Sequence, residues 1–396
     1  LINAMSSLLL TIAVTRIFGN GEDSDIFSIA YSTALMLSTL GLFEARQFQT
    51  SDVKGEYKFS EYLSMRYLTC MLMILFIGIF IIINGYNIEK AAVMFLITLY
   101  MAIGALEDVY QGFFQLKGRL DLAGKSLFIR ILVSMIFFFV TVILTENLVF
   151  SSVMLCVGSL IIFLGYDVVT QIKMTDKIIF PRFNFRRIKK LIMECLPLCI
   201  CSFLSIYTLN APKYSIDDIF YNEVGIQTIF TILVMPAAAI NLLSIFVFRP
   251  AMTPLANSFY SKDITGFKKI IKRLVSWIGI VMVVCVLLGY LFGTQVLSLI
   301  YGVDVTEYVL SLVLILIGGG VSALLSLLQY IITIMRKQYR LLIGYILSGV
   351  FAYFVSNYMV ANYEILGGAI SYLSTYIFTA ICFFIVLTYY WKKLVK

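Results

Sequence analysis

Histidine is absent from all 396 residues. That removes in one step the HExxH metal helices, the Ser-His-Asp triads and the imidazole proton relays, each of which needs a side chain that titrates near neutral pH or ligates a metal through nitrogen. Charge is scarce too, at 13% of residues against about 25% in an ordinary soluble domain. With 61% hydrophobic residues, this balance excludes a water-soluble globule and reads as an integral membrane protein. The net charge of +8 does not point to nucleic acid, because the cations sit in short loops between apolar runs and form no single basic face. Proline occurs only six times and never before Pro181.

The cysteines (Cys70, Cys156, Cys195, Cys199, Cys201, Cys285 and Cys382) all fall inside apolar runs, where they pack as small hydrophobes. Neither a disulfide framework nor a metal site is expected, since the grouped Cys195, Cys199 and Cys201 have no second cluster to complete a coordination sphere. No cleavable signal-peptide pattern opens the chain, and a first residue Leu1 in place of Met reads as that of a fragment.

What is present is long hydrophobic runs. At about 20 apolar residues per span, they predict spans at 1–17, 26–45, 63–84, 90–109, 127–145 and 147–171, then 190–219, 223–248, 274–294, 308–335, 340–361 and 365–390. The expected fold is all-α and polytopic, with 12 transmembrane helices in two six-helix lobes around a central cleft. Residues 1–172 form the N-lobe, 173–190 a cytoplasmic basic connector and 191–396 the C-lobe. The connector, KMTDKIIFPRFNFRRIKK, carries Lys173, Lys177, Arg182, Arg186, Arg187, Lys189 and Lys190. Moving a Lys or Arg across hydrocarbon costs roughly 2.5 to 3.5 kcal/mol even on insertion scales, so this run stays at the cytoplasmic surface. An even number of spans with both termini cytoplasmic then puts every Lys and Arg except Arg16, Lys90 and Lys213 on the inner side, whereas the acids divide evenly. A bias confined to positive charge is what the positive-inside rule requires.

Pro197 and Pro212 fall in the seventh span, Pro236 in the eighth, and Pro250 and Pro254 just after it, each a site for a hinge or a static kink. Gly318, Gly319 and Gly320 in the tenth span allow either close packing or local unwinding. The stretch 249–274 ends in a basic amphipathic segment expected along the inner interface. GRLDLAGKS, Gly118 to Ser126, imitates a phosphate-binding loop, but its glycine spacing is one residue too long and a helix precedes it, so it reads as a short cytosolic turn.

The informative charges lie near or inside spans. Arg16 ends the first span ahead of Glu22, Asp23 and Asp25, while Lys213 and Asp217 end the seventh. If the halves are structural repeats, these groups face one another at the outer mouth of the cleft; the plainer alternative is that Arg16 and Lys213 snorkel to headgroups. Tyr207, Asn210, Tyr214, Asp217 and Tyr221 recur at spacings of three and four, a stripe suited to sugar rings or else part of an interfacial aromatic belt. Deeper lie Glu44, Glu107, Asp108, Arg130, Asp167 and Glu194. Arg130 is expected to pair with Asp167, and either Asp167 or Glu194 could instead carry a coupling proton or sodium ion. No carboxylate pair or activated nucleophile stands out and the outer loops are short, so neither catalytic residues nor an enzyme are expected.

Three stretches carry a family resemblance: TRIFGNGEDSDIFSIAYS (Thr15 to Ser32), VYQGFFQLKGRLDLAGKS (Val109 to Ser126) and LNAPKYSIDDIF (Leu209 to Phe220). They resemble polysaccharide flippases, the O-antigen and capsule repeat-unit translocases of the multidrug/oligosaccharidyl-lipid/polysaccharide exporter superfamily. The resemblance implies transfer of an undecaprenyl-pyrophosphate-linked oligosaccharide across the inner membrane by alternating access. It implies no cofactor, coupling to a proton or sodium ion, and as partners membrane lipid, a polysaccharide polymerase and glycosyltransferases. By motif position Arg16 and Asp25 match the first-span pattern, and Asn210, Lys213, Tyr214 and Asp217 the seventh-span pattern. Leu10 stands where the lipid II group has a cation, which argues against lipid II as cargo. The alternatives are a multidrug-type cation antiporter of the same superfamily, a membrane-embedded polymerase or ligase, and a non-transporting scaffold.

Overall fold

A computed structural model of the chain describes residues 2–51, 56–261, 263–335 and 340–395, and among these every regular element is helical. The helices are α1 (Ile2–Phe18), α2 (Glu22–Leu42), the seven-residue α3 (Ala45–Ser51), α4 (Phe59–Asn84), α5 (Ile88–Leu116), α6 (Leu120–Thr145) and α7 (Leu148–Thr175). They continue with α8 (Phe185–Ile219), α9 (Ile226–Tyr260), α10 (Ile264–Tyr301), α11 (Val309–Ile334), α12 (341–363) and α13 (365–395). Setting α3 aside, twelve long helices stand where twelve spans were expected. Of the charges assigned to the cytoplasm, Lys54, Lys262, Arg336, Lys337 and Lys396 lie outside the described residues, as do the side chains of Arg249, Lys392 and Lys393.

Most of the helices outrun the apolar windows that predicted them. Hydropathy marks only the part inside hydrocarbon, whereas backbone hydrogen bonding continues into the headgroups until a cap stops it. α9 runs through Pro250 and Pro254 to Tyr260, so these prolines are inside the helix and not after it. α10 starts at Ile264, with the Asp263 carboxylate capping it through the Gly266 N–H at 2.9 Å. The basic amphipathic segment is therefore the beginning of the ninth span and not a separate interfacial helix. Likewise GRLDLAGKS is mostly helix: only residues 117–119 turn, with Gly118 at φ +75°, and α6 begins at Leu120. α8 is continuous through Pro197 and Pro212.

Sharp joins have local causes. Asn87 and Asn147 cap α5 and α7 by accepting from the N–H groups of Lys90 and Phe150, both at 2.8 Å, so α4–α5 and α6–α7 are tight hairpins. Asp304 accepts from the backbone N–H and hydroxyl of Thr306 at 3.0 and 2.7 Å ahead of α11, and these bonds hold its carboxyl below the usual range. Glu364, at φ 48°, separates α12 from α13. Gly367 permits that reversal, because a side chain there would strike the Met359 carbonyl.

Nine helical stretches among the described residues are long and apolar enough to cross a membrane, with α12 and α13 taken together, and α1 and α9 contribute shorter apolar segments. The outer face of α4 exposes Leu75, Phe76, Ile79, Ile82 and Ile83, a stripe that water would not tolerate and lipid covers. The protein is a multi-pass membrane protein.

Packing divides the chain into two compact units, Leu1–Ile206 and Tyr207–Lys396, with the boundary inside α8. In the first unit α5 is the hub, packed on α2, α3, α4, α6 and α7. In the second the hub is α11, packed on α9, α10 and the α12–α13 pair. Each hub is the fourth long helix of its half. In α11 the three glycines are buried and the helix is unbroken, so close packing and not unwinding is their role. Successive positions on a helix turn by about 100°, and the three accordingly face three neighbours: Gly318 meets Tyr372 of α13, Gly319 the Ala237 backbone of α9, and Gly320 Met282 of α10.

A β-carbon at Gly319 would sit 3.0 Å from the Ala237 Cα, which is backbone and cannot step aside. Gly319→Val is therefore expected to destabilise the second unit by about 1–3 kcal/mol through overpacking. Gly279→Ala, on α10 with nothing within 4 Å, should be neutral or mildly stabilising. Thermal unfolding in detergent reads both, and equal midpoints for the two variants would remove the hub assignment.

Candidate functional site

One stripe of α5 gathers polar residues in the middle of the helix. Tyr100, Gly104, Glu107 and Gln111 recur at spacings of four, three and four, and so line up along one side. α6 answers with Ser126 and Arg130, also one turn apart. Arg130 forms a buried ion pair with Glu107, its guanidinium lies 5.3 Å from the Tyr100 ring centre, and Nη1 donates to Ser159 of α7 at 3.4 Å. Gly104 makes room for it, since a β-carbon there would stand 3.1 Å from the guanidinium. The Ser126 hydroxyl donates to Glu107 at 2.6 Å and accepts from Gln111 Nε2 at 3.2 Å.

Arg130 was expected to pair with Asp167; the partner is Glu107. Spacing along a sequence shows which face of a helix is polar but not which neighbour that face meets. Asp167 is beside the pair, with 0% exposure, on a π-helical turn (Phe163–Val168) within α7. Its carboxyl is next to the Ser126 hydroxyl, and neither oxygen makes any other hydrogen bond.

Nearer the expected cytoplasmic end of the same unit, Asp108 is held by two arginines. Arg46 of α3 reaches it at 2.8 Å and Arg66 of α4 at 2.9 Å. Arg66 also donates to the Gly41 carbonyl at 2.6 Å and is only 2% exposed. Arg66 sits near the start of α4, assigned to the inner side by charge, yet its side chain is turned into the bundle. Glu44, at φ 52° where α2 breaks into α3, accepts from Ser202 of α8 at 2.6 Å. Glu194 lies on the exposed side of α8 with the Tyr57 hydroxyl at 3.5 Å and Lys190 at 3.8 Å.

The basic run also docks. Arg187 pairs with Glu61 at 2.9 Å and bonds the Glu56 carbonyl; Lys190 pairs with Glu56 at 2.8 Å; both cations stand over the Tyr57 ring. Glu61 in turn caps α4 by accepting from Lys58 N–H at 2.8 Å, so one carboxylate fixes the starts of both α4 and α8.

Arg16 ends α1 and is exposed, while Glu22, Asp23 and Asp25 open α2, an order that complements both helix dipoles. In the second unit Tyr207 and Tyr214 stack with ring centres 6.2 Å apart and planes 13° from parallel, and Asn210 between them is buried. Lys213 is buried as well, 7% exposed, which excludes a side chain snorkelling freely to headgroups. Asp217 is half-buried one turn on. Tyr221 departs from the stripe: it lies past the end of α8 at Ile219 and is 76% exposed. A residue that spacing alone had missed is Asn357 of α12, which accepts from Ser215 at 2.6 Å and extends the polar surface of this helix.

No protein-family model matches the chain. The capsular polysaccharide biosynthesis protein CapF of Staphylococcus aureus is 23% identical over 380 residues, covering 94% of this chain and 92% of that protein. Among solved structures, an inward-facing multidrug resistance MATE family transporter of the MOP superfamily gives a TM-score of 0.72 at 12% identity, covering 98% of this chain and 95% of that one. The fold is that of MOP-superfamily transporters. Lipid II flippase MurJ, in an inward closed conformation, shares it with a TM-score of 0.72 at 12% identity, covering 97% of this chain and 85% of that one. A MOP-superfamily transporter from Pyrococcus furiosus described as having a reversed binding-pocket polarity follows, with a TM-score of 0.57 at 16% identity, covering 100% and 93%. These MOP-type neighbours are transporters and a flippase, not enzymes.

Within this MOP-type fold the Glu107–Arg130 pair should behave as a unit. Arg130→Met leaves an ionised carboxylate buried without its partner and should cost about 3–5 kcal/mol, whereas Arg130→Met combined with Glu107→Gln should recover most of that loss. Denaturation of the purified protein measures both; additive losses in the double variant would show that the two side chains act independently.

Proposed function

We propose that the protein is a flippase that carries an undecaprenyl-pyrophosphate-linked oligosaccharide repeat unit across the cytoplasmic membrane for surface polysaccharide synthesis, by alternating access. The carrying observation is the near full-length similarity to a capsular polysaccharide biosynthesis protein in a chain whose fold is shared with a lipid II flippase. A pyrophosphate-sugar head cannot cross hydrocarbon unaided, because desolvating its charges costs far more than thermal energy. The protein's part is to offer polar and cationic groups along the path. Buried Lys213 is suited to an anionic head, and the stacked Tyr207 and Tyr214 with Asn210 are suited to sugar rings. In this reading Arg16, Asp25, Asp217 and Tyr221 stand at the outer end, both termini are cytoplasmic, and the energy comes from a proton or sodium gradient. A polymerase and glycosyltransferases work beside it as partners.

The second reading, a multidrug-type cation antiporter, draws on the equal structural likeness to a multidrug transporter. A buried lysine in the seventh span disfavours it, since a fixed cation repels a cationic cargo.

Deletion in the native host is expected to halt surface polysaccharide and to build up lipid-linked oligosaccharide on the inner leaflet. Lys213→Ala should reduce surface polysaccharide severalfold, and Arg16→Ala less, with both proteins still inserted. Normal polysaccharide in the deletion strain, together with raised sensitivity to organic cations, would transfer the assignment to the antiporter.

A further inference from the structure

We infer that Asp167 and Glu107 share one bound proton, relayed through the Ser126 hydroxyl with Arg130 as a built-in countercharge, in a site inside the first unit. The argument begins with charge. Glu107 and Arg130 neutralise each other, so an ionised Asp167 would leave one negative charge uncompensated in a place with no exposure. Burying such a charge beside one hydroxyl whose hydrogen is already given to Glu107 is among the most costly arrangements a protein can hold, and a carboxyl so placed takes up a cation instead.

The groups that surround Asp167 select the cation. α5 presents Glu107 and Tyr110 to it, α6 presents Arg130, and Tyr166 is its neighbour on α7 itself. A metal ion here would sit against a fixed guanidinium, and among the described residues no group of three or more acidic or sulfur ligands gathers anywhere. A proton needs neither space nor a ligand shell. Ser126 supplies its route: its single hydrogen is committed to Glu107, which leaves an oxygen lone pair to accept from a protonated Asp167. Proton bookkeeping then closes. Transfer of the Asp167 proton to Ser126, with the Ser126 proton passing to Glu107, moves one proton between the carboxyls and changes no net charge. The π-helical turn that carries Asp167 interrupts regular α-helical bonding at this point, a feature frequent at functional positions.

As the coupling site for transport this rests on the flippase reading above; as a proton site it does not. Infrared difference spectroscopy on the full-length protein in liposomes separates the two. At neutral pH a protonated-carboxyl carbonyl band is expected, lost in Asp167→Asn. It should also be lost in Glu107→Gln, where Arg130 is freed to pair with an ionised Asp167. Should Asp167→Asn fail to insert, Ser126→Ala gives an equivalent readout, a shift of the band to that of a carboxyl with one hydrogen bond fewer. Absence of the band, its survival in Asp167→Asn, or a rise in unfolding midpoint with sodium but not potassium overturns the proposal. In the host, Asp167→Asn should abolish surface polysaccharide while the protein remains inserted; normal polysaccharide in that variant removes the coupling role. An effect of neither deletion nor Asp167→Asn, with the band intact, removes the flippase reading and leaves the proton site standing.

Discussion

A charge inside a bundle of membrane helices must find its compensation within that bundle, because lipid offers none and water is out of reach. In the first unit this constraint is met by α5. Its Tyr100–Gly104–Glu107–Gln111 face gathers Arg130 and Ser126 from α6 and, through Arg130, Ser159 from α7. One residue round the helix, Asp108 gathers Arg46 from α3 and Arg66 from α4. A helix that supplies acids on two adjacent faces has to sit centrally, with its cations arriving from the surrounding helices. The position of α5 as hub follows from where its carboxylates are.

The second unit reaches the same topology by the opposite means. α11 has no charged residue between Val309 and Ile334, and its three glycines let three helices approach until backbone and large side chains touch. A dispersion-packed hub is rigid in the way protein interiors are, with short-range contacts that a small displacement forfeits. A hub of ion pairs is different: its contacts are directional, and removing one member leaves the other buried without its partner. In the first unit that hub is Glu107 with Arg130 and Asp108 with Arg46 and Arg66.

Helix number and order were legible in the sequence because hydropathy reports directly on the lipid-buried length of each span. Helix ends were less legible. Pro250, Pro254 and the Lys268–Arg273 run look like punctuation, yet the first helical turns tolerate charge and proline-bearing helices persist where membrane packing supports them. Faces were legible and partners were not. The polar register of α5 can be read from residue types, but that Arg130 meets Glu107 depends on the way α6 lies across α5, which no single-helix pattern encodes. Tyr221 shows the limit of periodicity, since a spacing of four means a shared face only while the helix continues.

The basic connector extends this argument to the surface. Arg187 and Lys190 do more than add charge to it: they are held by Glu56, Glu61 and the Tyr57 ring. Single exposed ion pairs contribute little, roughly 0–1 kcal/mol each. Here several share one aromatic ring and one helix cap, so the start of α8 is tied to the start of α4 by a network. α8 is the helix that leaves the first unit and enters the second, with Ser202 bonded to Glu44 in the one and Ser215 to Asn357 in the other. Fixing its first turn to α4 gives a long helix a defined origin. Arg182, Arg186 and Lys189 stay exposed outside this network.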